Sequence, residues 1–103
     1  MNRTTRILVV GSDHTPAICA RLLTQRFVTK HVHIDHLQTR DVHWSESILV
    51  LNKEHRRLIA HRYPTEYLLR RVVHLNIDEQ SAETPIESRI RDQLIAQGLI
   101  LHE

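Results

Sequence analysis

Residues 6–16 read RILVVGSDHTP, and this stretch carries most of what the sequence predicts about the fold. The short apolar run at 6–10 is typical of a strand buried on both faces, as in parallel sheets. A loop follows from Gly11, and then Thr15 suits a helix N-cap and Pro16 the first helical position. Apolar residues continue at helical spacing, at Ile18, Cys19, Leu22, Leu23 and Phe27. The stretch predicts a strand, a loop and a helix.

Three further strands are predicted downstream. Val32 and Ile34 alternate with polar residues, which predicts a second strand with one apolar face, at or near a sheet edge. Residues 47–51, SILVL, repeat the buried pattern of the first strand, and residues 71–77 predict a fourth. Residues 37–43 leave open either a loop or one helical turn.

Two more helices follow the third and fourth strands. Residues 53–63 are rich in helix formers, and Pro64 ends them because the residue before a proline is pushed out of helical geometry. The last helix is predicted at 85–97, opened by a capping box at Thr84 and stopped by Gly98. Right-handed crossovers then predict a small doubly wound α/β fold of four parallel strands in the order 2-1-3-4, with helices on both faces.

Length and composition limit the class of protein. A chain of 103 residues fits one domain, 1–103, and 41% hydrophobic with 25% charged residues excludes a disordered tail. One cysteine cannot form an intramolecular disulfide, which is usual in a reducing compartment, so we expect a cytoplasmic protein. The apolar run at 7–10 is too short for a signal peptide or a membrane span, so no membrane association is expected.

Charge is distributed unevenly along the chain. Residues 53–71 hold six Lys and Arg against two Glu, whereas residues 78–103 hold two Arg against six acids. This pattern fits attraction of an anionic ligand or pairing with a complementary subunit in an oligomer, and it equally fits solvated helix faces. Binding to nucleic acid is not expected, because the net charge is only +2 and the aromatic residues are too few and scattered to stack bases.

One longer segment resembles a known family. Residues 44–57, WSESILVLNKEHRR, together with Tyr63-Pro64 and residues 72–78, VVHLNID, resemble the low-molecular-weight protein tyrosine phosphatases, most closely their short bacterial relatives. In that family a strand of this kind leads into a helix that opens near Glu-His-Arg-Arg. Residues 7–10 and the helix after them fit the family's first strand and helix.

The catalytic loop of that family is not present in this sequence. Its first loop carries Cys-x5-Arg, in which a thiolate attacks phosphorus while backbone N–H groups and the arginine hold the oxygens. Gly11 stands at the cysteine position, and Thr15-Pro16, matching the family's Ser-Pro, comes early, so the loop is shortened and lacks the arginine. Cys19 is no substitute, because it falls in the following helix and Gln25 stands six residues on.

The resemblance therefore implies a catalytically inactive, phosphatase-like domain that acts as a binding or regulatory module for a small anion or a protein partner. Asp78 matches the family's general acid, but without a nucleophile a solvated loop acid is the expected role. No cofactor is expected. The candidate ligand-binding residues form the loop after the first strand, at the amino end of a helix, and are Gly11, Ser12, Asp13, His14 and Thr15.

Two other patterns suggest chemistry of a different class. The loop Ser12-Asp13-His14 offers a hydroxyl, a carboxylate and an imidazole, so an active phosphatase or other hydrolase is the alternative function, although sequence neighbours rarely align as a relay. The string HVHIDH at 31–36 matches a zinc-binding string of the metallo-β-lactamase fold. Val32 and Ile34 instead place its histidines on an exposed strand, so no metal site is expected.

Overall fold

Four strands form one parallel sheet in a computed structural model that describes residues 5–12, 14–75, 77 and 85–100. The order β2-β1-β3-β4 confirms the predicted topology. Strand β1 pairs with β2 over six residues and with β3 over four, and β3 pairs with β4. The strands are β1 (Arg6–Gly11), β2 (Val28–His33), β3 (Ser47–Val50) and β4 (Arg71–His74).

Helices cover both faces of the sheet, as the doubly wound prediction requires. The described residues form α1 (Thr15–Leu23), α2 (Thr39–Trp44), α3 (Lys53–Arg62), α4 (Pro64–Leu69) and α5 (Ile86–Ala96). One core lies between the sheet and α1 and α5, where Leu23, Ile90 and Leu94 are fully buried. A second core lies on the other face under α2 and α3, around Val42 and Ile59. Among these residues no helix has the length and apolar character needed to cross a membrane.

The structure differs from the sequence prediction at several boundaries. Strand β2 begins at Val28 and ends at His33, and Ile34 opens a 3-10 turn, because the His33 Nδ1 atom accepts a hydrogen bond from the Asp35 N–H at 3.1 Å and caps that turn. The open segment 37–43 contains most of helix α2. A capping box forms there, in which the Asp41 carboxylate accepts the Gln38 N–H at 3.0 Å.

Prolines also shift two helix starts. Pro64 does not only end α3; it begins α4, since a proline suits a first helical position where no N–H is needed. Pro85 is the N-cap of α5 rather than its first residue, and Thr84 lies outside the described residues. Thr15 is the first residue of α1 and His14 is its N-cap, so the predicted N-cap was one residue late. Gly98, with φ of +74°, ends α5 as predicted.

Two arginines donate hydrogen bonds to backbone carbonyls at the C-terminal end of α2, just before β3. The Arg6 Nε atom donates to the Trp44 carbonyl at 2.5 Å, and the Arg70 Nε atom donates to the Ser45 carbonyl at 2.9 Å. The Glu46 carboxylate lies 3.4 Å from the Arg6 guanidinium. Carbonyls at a helix C-terminus have no partner within the helix, so these cations satisfy them. The Trp44-Ser45-Glu46 segment therefore has a structural role at this edge.

Candidate functional site

The carboxyl ends of the parallel strands lie along one edge of the sheet, called here the carboxyl edge. Ligands of such sheets bind beyond this edge where the strand order reverses, which in this fold is between β1 and β3. The chain leaves the edge at this point through the predicted loop, of which Gly11 is the last residue of β1 and Thr15 the first residue of α1. Helix α3 begins there too, directly after β3, with the Asn52 side chain accepting the Glu54 N–H at 2.7 Å. The predicted loop and a second helix start therefore flank the reversal point.

Gly11 is buried at the end of β1 and has no space for a side chain. An added Cβ would lie 2.9 Å from the Pro16 Cγ atom and 3.1 Å from the Leu51 Cδ1 atom. A distance under 3 Å to a proline ring is a clash that the ring cannot escape by rotating. Pro16 and Leu51 therefore occupy the space that any side chain at position 11 would need.

The described loop residues Ser12 and His14 do not form a catalytic pair. Ser12 is partly buried, His14 is exposed as the N-cap of α1, and Thr15 is buried, with 5% of its surface exposed. Among the described residues, the Ser12 hydroxyl makes no hydrogen bond to the His14 ring, whereas an activated nucleophile needs its base within hydrogen-bond distance. Asp13 and Asp78, two of the residues singled out in the sequence, lie outside the described residues.

Cys19 lies on the side of α1 that faces the core. Its side chain is fully buried, as the helical spacing predicts, and burial raises the pKa of the thiol to about 12. The thiol is therefore protonated at neutral pH, and the thiolate is the reactive form of cysteine. Cys19 packs as a small apolar residue and has no access to a substrate.

A cationic group at the carboxyl edge was missed by the sequence reasoning. It consists of Lys53 at the start of α3, Arg56 one turn later and His74 at the end of β4. Burial lowers the pKa of His74, and the nearby charges of Arg56 and Lys53 lower it further. In the part of the chain that the structure describes, neither Lys53 nor Arg56 pairs with a carboxylate.

A signal for this group was present in the sequence. The excess of positive charge at 53–71 fits both an anionic ligand and a solvated helix face. Two positions in this sequence favour the first interpretation. Lys53 follows the third predicted strand and His74 lies late in the fourth, and strands that run parallel end at the same edge. The sequence therefore predicts a shared edge for Lys53 and His74, whereas their grouping with Arg56 depends on the register of β3 and β4.

The histidine string at 31–36 does not converge on a metal position. The His33 and His36 rings lie 5.8 Å apart between centroids, and His31 is exposed on β2. Because the His33 Nδ1 atom accepts the Asp35 N–H, the neutral ring carries its proton on Nε2. Over the described ranges, no three His, Cys, Asp or Glu side chains are grouped so that they could hold a metal ion.

Similarity to known proteins adds no constraint on the function. Comparisons with protein-family models, with curated proteins and with solved structures find no match to this chain. The resemblance to the low-molecular-weight phosphatases stays a prediction that depends on the quoted residues alone. The function has to be argued from the carboxyl edge itself, where the loop 11–15 and the cationic group lie.

Proposed function

We propose that this chain is a catalytically inactive, phosphatase-like binding module that takes a small oxyanion, such as a phosphate group, at the carboxyl edge. The observation that carries the proposal is the cationic group of Lys53, Arg56 and His74 beside the amino end of α3. A free phosphorylated metabolite and a phosphorylated segment of a protein partner present the same oxyanion. The module then has a regulatory or binding role and no turnover of its own.

The electrostatics of the cationic group favour an anion between its members. Burial is the largest cause that lowers the pKa of His74, and repulsion from the charges of Arg56 and Lys53 lowers it further. An oxyanion placed there offsets this repulsion and stabilises protonated His74. The amino end of α3 adds N–H donors and the positive end of the helix dipole. Both contributions act at the carboxyl edge, beyond the ends of β3 and β4.

Among the described residues of the carboxyl edge, no activated nucleophile for phosphoryl transfer is present. Gly11 supplies no nucleophile and Pro16 fills the space in front of it. Cys19 is buried as the thiol, and Ser12 has no hydrogen bond to His14. A phosphatase of the resembled family needs a nucleophile and an arginine that stabilises the transition state at this loop. Binding without hydrolysis is what these residues support.

The binding test follows the His74 ring by NMR while phosphate or sulfate is added. We expect the pKa of His74 to rise on binding, because the anion stabilises the protonated ring. His43, in α2 near the opposite edge of the sheet, serves as the reference ring. Lys53→Gln and Arg56→Gln should each weaken binding several-fold. Arg62→Gln removes the same charge at the other end of α3 and should leave binding nearly unchanged.

Two results would contradict the binding proposal. If the His74 and His43 rings shift equally, the anion is acting by ionic strength and not at a site. If Arg62→Gln weakens binding as much as Arg56→Gln, net charge rather than the cationic group attracts the anion.

The catalytic test assays wild type over aryl phosphates, phosphotyrosine peptides and carboxylic esters, with and without chelator. No turnover is expected. Ser12→Ala, His14→Ala and Cys19→Ser separate the alternatives. Turnover that is lost in Cys19→Ser would restore an active phosphatase. Turnover that is lost in Ser12→Ala or His14→Ala would favour a hydrolase that uses the loop.

A further inference from the structure

A cavity of about 240 Å³ opens at the other edge of the sheet, called here the amino edge, where the strands begin. Its floor is a row of neighbouring residues from three strands: Ile7 pairs with Ser47, and Ser47 pairs with Arg71. Leu49 and Val73, two residues further along β3 and β4, continue the lining on the same face. This cavity, called here the amino-edge pocket, lies far along the strands from the cationic group.

The end of α5 explains why the pocket exists. Helix α5 covers the middle of this sheet face, and Gly98 then turns the chain back with its N–H bonded to the Ile95 carbonyl at 3.0 Å. The Leu99 N–H bonds to the Leu94 carbonyl at 2.9 Å, which brings Leu99 to the wall of the pocket. The positive φ of Gly98 makes this tight reversal feasible. The helix therefore stops short of the first row of the sheet.

The pocket combines apolar walls with the Arg71 cation at its rim. Phe27, Val73 and Leu99 are partly exposed and supply apolar surface over the buried Ile7 and Leu49, and Arg71 is exposed beside them. Within the described residues the Arg71 guanidinium has no carboxylate partner, whereas Arg6 at the same edge is paired with Glu46. An apolar body with a single negative head complements this arrangement, since the walls exclude a strongly hydrated ion such as phosphate.

We infer that the amino-edge pocket binds a small amphiphilic carboxylate, with its apolar body against Phe27, Val73 and Leu99 and its carboxylate at Arg71. The volume suits a ligand of roughly ten non-hydrogen atoms. A ligand of this size with one charged contact is expected to bind with a Kd on the order of 1 mM. This binding is independent of the oxyanion proposed for the carboxyl edge.

The experiment titrates octanoate and 1-octanol, below their aggregation concentrations, into the full chain and follows backbone amides by NMR. Octanoate should shift the amides of Ser47, Arg71, Gly98 and Leu99, and it should bind roughly tenfold tighter than octanol because only octanoate carries the charge. Equal binding of the two probes would overturn the inference. The inference would also be overturned if octanoate shifted other amides but not these four, or if it shifted no amide at all.

Substitutions at the rim and floor sharpen the test. Arg71→Gln should weaken octanoate binding roughly tenfold and leave octanol unchanged, and Arg62→Gln should change neither. Ser47→Leu fills the floor and should weaken both probes; if its amide spectrum shows a disturbed sheet, Arg71→Gln alone decides. Octanoate that binds Arg71→Gln as well as wild type would overturn the inference. The His74 response to phosphate should be the same in Arg71→Gln and wild type, so the two proposals fail separately.

Discussion

The two edges of the sheet use their positive charges differently. At the amino edge Arg6 and Arg70 are bonded to carbonyls at the end of α2, and Arg6 also pairs with Glu46. At the carboxyl edge Lys53 and Arg56 have no acidic partner within the described chain, and they lower the pKa of His74. Cations that close a helix end stabilise the fold, whereas unpaired cations beside a histidine are available to a ligand. Arg71 is the exception, because it lies at the amino edge and no carboxylate of the described chain pairs with it.

The glycines at the two edges are required for different reasons. Gly11 at the carboxyl edge is required for space, because an added Cβ would meet Pro16 at 2.9 Å. Gly98 at the amino edge has open space around it and is required for its φ of +74°. Gly11 is set by the close packing of Pro16 and Leu51 against the end of β1, and Gly98 is set by the turn that ends α5 beside the amino-edge pocket.

The largest effect on stability is expected in the core under α1 and α5, which lies between the two edges of the sheet. Ile90→Ala removes a fully buried side chain under α5 and should lower the free energy of unfolding by about 2 to 5 kcal/mol. Urea denaturation measures this. Leu68→Ala on α4, whose side chain is 82% exposed, should stay within about 0.5 kcal/mol of wild type. A loss below that limit for Ile90→Ala would mean that α5 does not cover this face.

The second-largest effect on stability tests the close packing around Gly11 at the carboxyl edge. Gly11→Ala should cost about 1 to 3 kcal/mol, because its Cβ meets the Pro16 ring. Combining it with Pro16→Ala should recover about 1 kcal/mol relative to the sum of the single changes. Denaturation of the four members of this cycle is the measurement. Gly11→Cys should show no phosphatase activity for the same reason.

Gly98 provides a comparison for the double-mutant cycle of Gly11 and Pro16. Gly98→Ala should cost about 1 kcal/mol through its positive φ and should be additive with Pro16→Ala. Full additivity of Gly11→Ala with Pro16→Ala would refute crowding at Gly11.

A smaller effect tests the structural arginines at the amino edge. Arg70→Met keeps the aliphatic stem but leaves the Ser45 carbonyl without its donor, so unfolding should become easier by about 1 kcal/mol. Arg57→Met removes a cation whose partner is an exposed Glu54 on the same helix, and it should change stability by less than 0.5 kcal/mol, roughly. Thermal and urea unfolding compare the two. Equal effects would mean that Arg70 does not close the end of α2.

The pH dependence of stability reports on His74. Its pKa in the folded protein lies below the ordinary value of 6.5, so below pH 6.5 the unfolded chain takes up a proton that the folded chain resists. Stability from this group is therefore complete above pH 6.5 and is lost as the pH falls toward the lowered pKa. His74→Gln should flatten this part of the profile, and saturating phosphate should flatten it too. A profile that is unchanged in His74→Gln would show that other groups set the slope.

The smallest effect on stability is expected from the cations proposed to bind the anion. Lys53→Gln should change the free energy of unfolding by less than about 0.5 kcal/mol, because it relieves repulsion and breaks no ion pair in the described chain. Denaturation in phosphate-free buffer measures it. A loss as large as that of Arg70→Met would place Lys53 among the structural cations and would remove the contrast between the edges.

The sequence by itself determined the sheet and its order. The buried runs at 6–10 and 47–51 have a period and composition that only strands covered on both faces satisfy, and connections of that length allow few topologies. It also determined that Cys19 is buried, because its helical spacing places it on the core face of α1. These features depend on residues that are close in the chain.

Tertiary structure alone decided the grouping of charges, the crowding at Gly11 and the two boundaries of β2. Lys53 and His74 belong to different strand–helix units, and only the parallel register of β3 and β4 brings them to one edge. Residues 28–31, VTKH, show no clear alternation of apolar and polar residues, and β2 forms there because its backbone pairs with β1 over six residues. Pro16 and Leu51 reach Gly11 from separate elements. Local patterns cannot encode such contacts, since their free energy arises only once distant segments have packed.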